Sequence, residues 1–167
     1  QDFSTTGLNQ KWTADITYIK TVHDGWTYLS SIIDIHSRKV IAWELGKRMT
    51  EELVVNTLKK ALMKSPQAIK ENLIIQTDLG SQYTSIAFNQ LVDQYKMKQS
   101  YSRKGTPYDN IMIEAFHSVL KKEKVYQNVY ASFDEAKRAL FRYIEGFYNS
   151  RRIHSSLDYL TPNQAEQ

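Results

Sequence analysis

The stretch WTADITYIKTVHDGWTYLSSIIDIHSRKVIAWEL, residues 12–45, decides the fold. Three segments within it, WTADITYI, WTYLSSIID and KVIAWEL, are rich in β-branched and aromatic side chains, and HDG and HSR separate them as turn signals. This spacing predicts three strands in an antiparallel meander. Side chains alternate across a strand, so Trp12, Ala14, Ile16 and Tyr18 share one face, while Thr13, Asp15 and Thr17 share the other. Trp12 reads as a core anchor on the apolar face. Asp15 is a poor strand former placed mid-strand, so it either sits on a solvated face or has a task there.

Outward from the meander, TEELVVNTLKKALMKSP (50–66) predicts a helix, with Thr50 as N-cap, acids in the first turn, lysines toward the end and Pro66 just beyond. NLIIQTD (72–78) reads as a short buried strand, SIAFNQLVDQYKM (85–97) as an amphipathic helix and KQSYS (98–102) as a fifth strand. Three strands followed by helix, strand, helix, strand make an α/β protein, a mixed sheet of about five strands flanked by helices. SFDEAKRALFRYIEGFYN (132–149) opens on a capping box, Ser132 to Glu135, and reads as one long helix, and Thr161-Pro162 starts a further one. Residues 11–165 are expected to form a single domain, with residues 1–10 a linker from an upstream region.

The 167 residues, 41% of them apolar, suffice for one real core, and the absence of cysteine excludes a disulfide framework or a thiolate zinc site. No apolar run is long enough to span a bilayer, so the expectation is a soluble protein of a reducing compartment with no membrane partner. Residues 1–95 carry ten Lys/Arg against ten Asp/Glu, whereas residues 96–154 carry twelve against six. That local excess would attract a polyanion such as DNA.

The second half holds GTPYDNIMIEAFHSVLKKE, residues 105–123. Gly105 and Pro107 delay the helix, Asp109 or Asn110 can cap it, and Met112, Ile113, Phe116, Val119 and Leu120 form one apolar arc. Glu114 falls opposite that arc with Lys121, and His117, one turn on, reads as a surface histidine. Asp78 ends a buried strand just before Gly80, and in open α/β sheets ligands bind at that end of a strand. Three such carboxylates converging at a sheet edge would supply hard oxygen ligands for two divalent cations acting on a phosphodiester. On these grounds alone Asp34, Asp109 and Glu123 remain alternatives to Asp15, Asp78 and Glu114.

The order WTADITYI, IIQTDLGSQYTS, SRKGTPYDNIMIEAFHSVLKKE, FYNSRRIHSSL and TP resembles the catalytic core of bacterial insertion-sequence transposases related to retroviral integrases, over roughly residues 8–165. The resemblance implies a ribonuclease H-like (integrase core) fold. It maps the family's catalytic, metal-binding trio onto Asp15, Asp78 and Glu114, with 35 residues between the last two. It further implies Mg²⁺ or Mn²⁺, two ions, and DNA strand cleavage and transfer in transposition, on element ends and target DNA, by a homo-oligomer in the bacterial cytoplasm. The alternatives are a nuclease of the same fold and a catalytically silent DNA-binding or assembly domain. Lys121, Arg152 and His154 are candidate DNA contacts, the last two within the family's YN-x-x-R-x-H-x-x-L pattern, and Gln82 or Tyr83 could also touch DNA. One departure stands out: Gln76-Thr77 precede Asp78 where the family commonly has His-Ser.

Overall fold

A computed structural model describes residues 5–65, 72–102 and 110–167. Pro66, Gly105, Pro107 and Asp109, expected in turn and capping roles, lie outside the described residues. The expected meander is present as β1 (Lys11–Thr21), β2 (Gly25–Asp34) and β3 (Val40–Gly46). Next come α1 (Glu51–Lys64), β4 (Ile74–Thr77), α2 (Ile86–Gln94), β5 (Lys98–Tyr101), α3 (Ile111–Glu123), α4 (Phe133–Tyr143) and α5 (Pro162–Ala165). The five strands form one sheet in the order β3-β2-β1-β4-β5, antiparallel through the meander and parallel from β1 to β4 and β5.

Both faces of the sheet are covered. On one, Trp12, Ala14 and Ile32 pack with Leu58 and Leu62 of α1 and Phe88 and Val92 of α2. On the other, Ile19, Leu29 and Ile33 pack with Phe116 and Leu120 of α3 and Ala139 and Leu140 of α4. The face of β1 read as polar is therefore not a solvated one: Thr13 and Thr17 are buried beneath helices, and Asp15 is held between them. Trp12 is fully buried, and its indole N–H donates to Asn9 Oδ1 at 2.9 Å. In the stretch expected to be linker, Asn9 N donates to Asp34 Oδ2 at 2.7 Å.

Local signals explain most of the helix ends. Thr50 caps α1 by accepting from the Leu53 amide, and Thr161 and Gln164 form a full capping box on α5. At α4 the expected box is displaced by one residue. Ser132 accepts from the Glu135 amide, but the Glu135 carboxylate accepts from the Ala131 amide at 2.7 Å. The long helix expected to Asn149 changes at Ile144 into a π-helical turn, Ile144–Tyr148. That turn delivers Tyr148 against Phe116, with ring centroids 4.9 Å apart. It also brings Asn149 to edge strand β3, where its side-chain amide pairs with both the N–H and the C=O of Val40.

Candidate active site

Register brings the first two carboxylates together. β1 and β4 pair in parallel with Lys11 opposite Ile74, Trp12 opposite Ile75 and Thr13 opposite Gln76. The pairing stops two residues short of Asp15 and Asp78, and the same offset carried on directs Asp78 toward Asp15. Between Thr13 and the bridge of Thr21 to Tyr130, β1 has no partner strand on this side among the described residues, which leaves an open edge there. α3 packs across β1 and contributes Glu114, exposed in its first turn.

A chain of polar contacts fixes where α3 begins. Asn110 occupies the N-cap position, yet its side chain makes no cap bond, contrary to the capping role expected for it. Its Nδ2 donates instead to Ser102 Oγ at 3.1 Å, and the Ser102 amide and hydroxyl both donate to the carbonyl of Thr77, the residue before Asp78. The start of α3 is thus tied to the strand end that carries Asp78. On the other side of Asp78, the Gly80 amide donates to Oδ1 at 2.7 Å, and a Cβ on Gly80 would meet that oxygen at 2.8 Å. Glycine is needed there for close approach.

The electrostatics are those of crowded acids. Burial, then the charges of Asp78 and Glu114 and the Asp78 hydrogen bond, push Asp15 up to about 7, against an opposing backbone hydrogen bond from Ile16. Among the described residues no lysine or arginine forms an ion pair with Asp15, Asp78 or Glu114. Nor do three His, Asp or Glu side chains among the described residues form a group that could hold a metal ion. The donor types still suit a hard divalent cation: three carboxylates, from β1, the end of β4 and α3.

Two further side chains belong to this environment. His117 is not a surface residue; its side chain is 12% exposed and its Nδ1 lies 4.0 Å from Asp15 Oδ2. Burial, and secondarily Lys121, lower its pKa to about 4, so the ring is neutral, and its Nε2 is buried without a partner. Tyr83 is 2% exposed, packs edge-on against Phe88 at 5.3 Å, and is too buried for the DNA contact suggested for it. Its unpartnered hydroxyl is held protonated by burial and by the charges of Asp15 and Asp78. Sequence spacing offered no signal for either role, since both depend on what β1 places opposite them.

The remaining candidates separate. Lys121, half-buried two turns after Glu114, stands beside Tyr18 and Trp26. Arg152 lies at the far end of α3, where its Nε donates to both oxygens of Glu123 at 3.0 and 2.9 Å. His154 packs edge-on against Tyr148 at 5.1 Å. Two alternative carboxylates are already engaged: Glu123 also accepts from the Tyr143 hydroxyl, and buried Asp34 accepts from the amides of Asn9, His36 and Ser37.

Residues 6–107 and 95–162 each match the Integrase core domain. The chain belongs to that family. It is 41% identical to the transposase for insertion sequence element IS904 of Lactococcus lactis, over all of this chain and 65% of that protein. Against transposase InsF for insertion sequence IS3A of Escherichia coli it is 39% identical, over 99% of this chain and 57% of that protein. The chain thus spans less than two thirds of the length of these relatives. The HTLV-2 integrase catalytic core domain in complex with magnesium, in its trimeric form, superposes with a TM-score of 0.71 at 18% identity, covering 98% of this chain and 100% of that one. The fold is ribonuclease H-like, as expected from the motifs. Among the described residues no helix is long and apolar enough to cross a membrane.

Proposed function

We propose that this chain is the catalytic core of an insertion-sequence transposase, and that Asp15, Asp78 and Glu114 hold Mg²⁺ or Mn²⁺, as two ions, for cleavage and strand transfer at element ends and target DNA. What supports this reading is that the charges of Asp78 and Glu114 both act on Asp15, with no basic ion-pair partner among the described residues, where the β1–β4 pairing ends. Divalent cations bound there would lower the pKa of the attacking hydroxyl and stabilise the leaving oxygen. The protein's own part is placement. Register fixes Asp15 against Asp78, the Asn110–Ser102–Thr77 contacts fix the approach of Glu114, and His117, neutral, adds no cation to compete with the metal. Lys121 would hold a phosphate near the reacting strand, while Arg152 and His154 secure the C-terminal segment and reach DNA only secondarily. Pairing two DNA ends calls for a homo-oligomer in the active complex, in the bacterial cytoplasm.

Calorimetry with millimolar Mn²⁺ on wild type and Asp78→Asn, beside a joining assay using labelled element ends and the full-length protein, tests the proposal. Metal binding and joining by wild type alone are expected. Cleavage without joining would favour the nuclease reading, and DNA binding without metal uptake the silent one.

A further inference from the structure

Along the open edge of β1, past the carboxylates, lies a second feature that strand chemistry does not account for. A cleft of about 360 Å³ is lined by Tyr18, Lys20, Trp26, Lys121, Tyr126 and Asn128, with Tyr130 in its wall. Tyr126, Trp26 and Tyr18 are 74%, 54% and 49% exposed. Single exposed aromatics need no explanation, but here three come from β1, β2 and the turn after α3 to one place, with two lysines and no acid among the lining residues. Tyr18 stands edge-on to Trp26 with centroids 6.4 Å apart, and Lys20 Nζ lies 5.7 Å from the centre of the Trp26 ring. Tyr130 is 4% exposed and its hydroxyl has no hydrogen-bond partner.

Two independent rulers place this cleft relative to the carboxylates. From Asp15 to Tyr18 is three strand residues, roughly 10 Å. From Glu114 to Lys121 is seven helical residues, again roughly 10 Å. The cleft therefore begins roughly 10 Å from the trio, measured along β1 and along α3. Aromatic faces with flanking lysines suit bases that are free to stack, whereas the bases inside a duplex are stacked already.

Resting on the proposed strand chemistry, we infer that this cleft is a stacking site for unpaired DNA bases adjoining the reacting phosphodiester. Lys20 and Lys121 hold the strand's phosphates, and Tyr18, Trp26 and Tyr126 receive base faces. A protein that joins strands must keep an end frayed while its phosphodiester is attacked, and a stacking site about 10 Å away would offset the lost base stacking.

The test uses this chain in EDTA, so that metal plays no part, with an oligothymidylate of about ten nucleotides and a blunt duplex as probes. The oligothymidylate is expected to quench tryptophan fluorescence through Trp26, since Trp12 is fully buried and Trp43, on β3, is not part of the cleft. Tyr126→Ala and Tyr18→Ala should each weaken its binding about fivefold or more, while Tyr126→Phe stays within about twofold of wild type. Lys121→Ala should reduce the salt slope by about 0.7. Melting curves establish that each variant is folded; Tyr126 is exposed enough for its replacement to leave the core intact. Equal affinity for duplex and oligothymidylate, or folded aromatic variants that bind as wild type does, would overturn the inference. Binding of oligothymidylate by wild type with no metal present separates it from the metal proposal. Metal uptake with no stacking refutes this site alone, and stacking with no metal uptake refutes the other alone.

Discussion

α3 carries a glutamate at each end, and the two lead opposite lives. Glu123 accepts hydrogen bonds from Arg152 and from the Tyr143 hydroxyl, so its charge is neutralised within the protein. Glu114, nine residues earlier, is exposed and contributes to raising Asp15 rather than relieving it. Both ends are anionic, but only one is balanced among the described residues. An acid with an internal cation strengthens the fold; acids that face one another need a cation from outside, and their repulsion persists until one arrives.

The comparison breaks most visibly in activity. Glu114→Gln should lower joining by at least about 10³-fold, the scale of losing one principal electrostatic contributor to a transition state, while melting shifts by no more than about 0.5 kcal/mol. Asp93→Asn on exposed α2 is the control and should join normally. Near-normal joining by Glu114→Gln in the full-length protein would remove it from the trio.

Stability should show the reverse pattern. Glu123→Gln weakens charge-assisted bonds to Arg152 and Tyr143, each partly open to solvent, so a loss of about 1 kcal/mol is expected rather than the larger cost of a buried pair. Denaturant unfolding measures it. A loss no greater than that of Glu114→Gln would mean that the Arg152 contact is ornamental, and would return Arg152 to the candidate DNA contacts.

How far this contrast could be read in advance depends on the range of the interaction. The meander, α1 with its Thr50 cap, and the apolar arc of α3 are written in periods of two and 3.6 residues, and they appear where those periods put them. Asp15 and Asp78 were singled out from motif resemblance, but their adjacency comes from a parallel register between segments sixty-three positions apart, which no local pattern encodes. The same limit hid the burial of His117: a helical wheel places it near the polar face of α3, and only the packing of α3 on β1 brings it to Asp15. Asn149 belonged to a recognised motif, yet its pairing with Val40 depends on the π-helical turn that interrupts the expected helix.

The finest effect concerns protons. Asp15, ordinarily at 3.8, sits at about 7 in the folded chain; between those values the native state holds a proton that the unfolded state lacks, so this group's contribution to stability falls as pH rises. His117, ordinarily at 6.5, sits at about 4; between those values the unfolded state holds the proton, so its contribution rises with pH. The windows overlap between about pH 4 and 6.5 and the slopes oppose, because the adjacent pair binds one proton whether folded, on Asp15, or unfolded, on His117. In EDTA the pair should therefore leave wild-type stability nearly indifferent to pH across that window. Asp15→Asn should add a slope toward greater stability at higher pH, and His117→Gln a slope of opposite sign, each bounded by about 1.4 kcal/mol per pH unit. Denaturant unfolding at several pH values measures both against wild type. Parallel curves for all three proteins would show that the protonation of Asp15 and His117 does not differ between the folded and unfolded chain in this way, and would overturn the raised acid at Asp15.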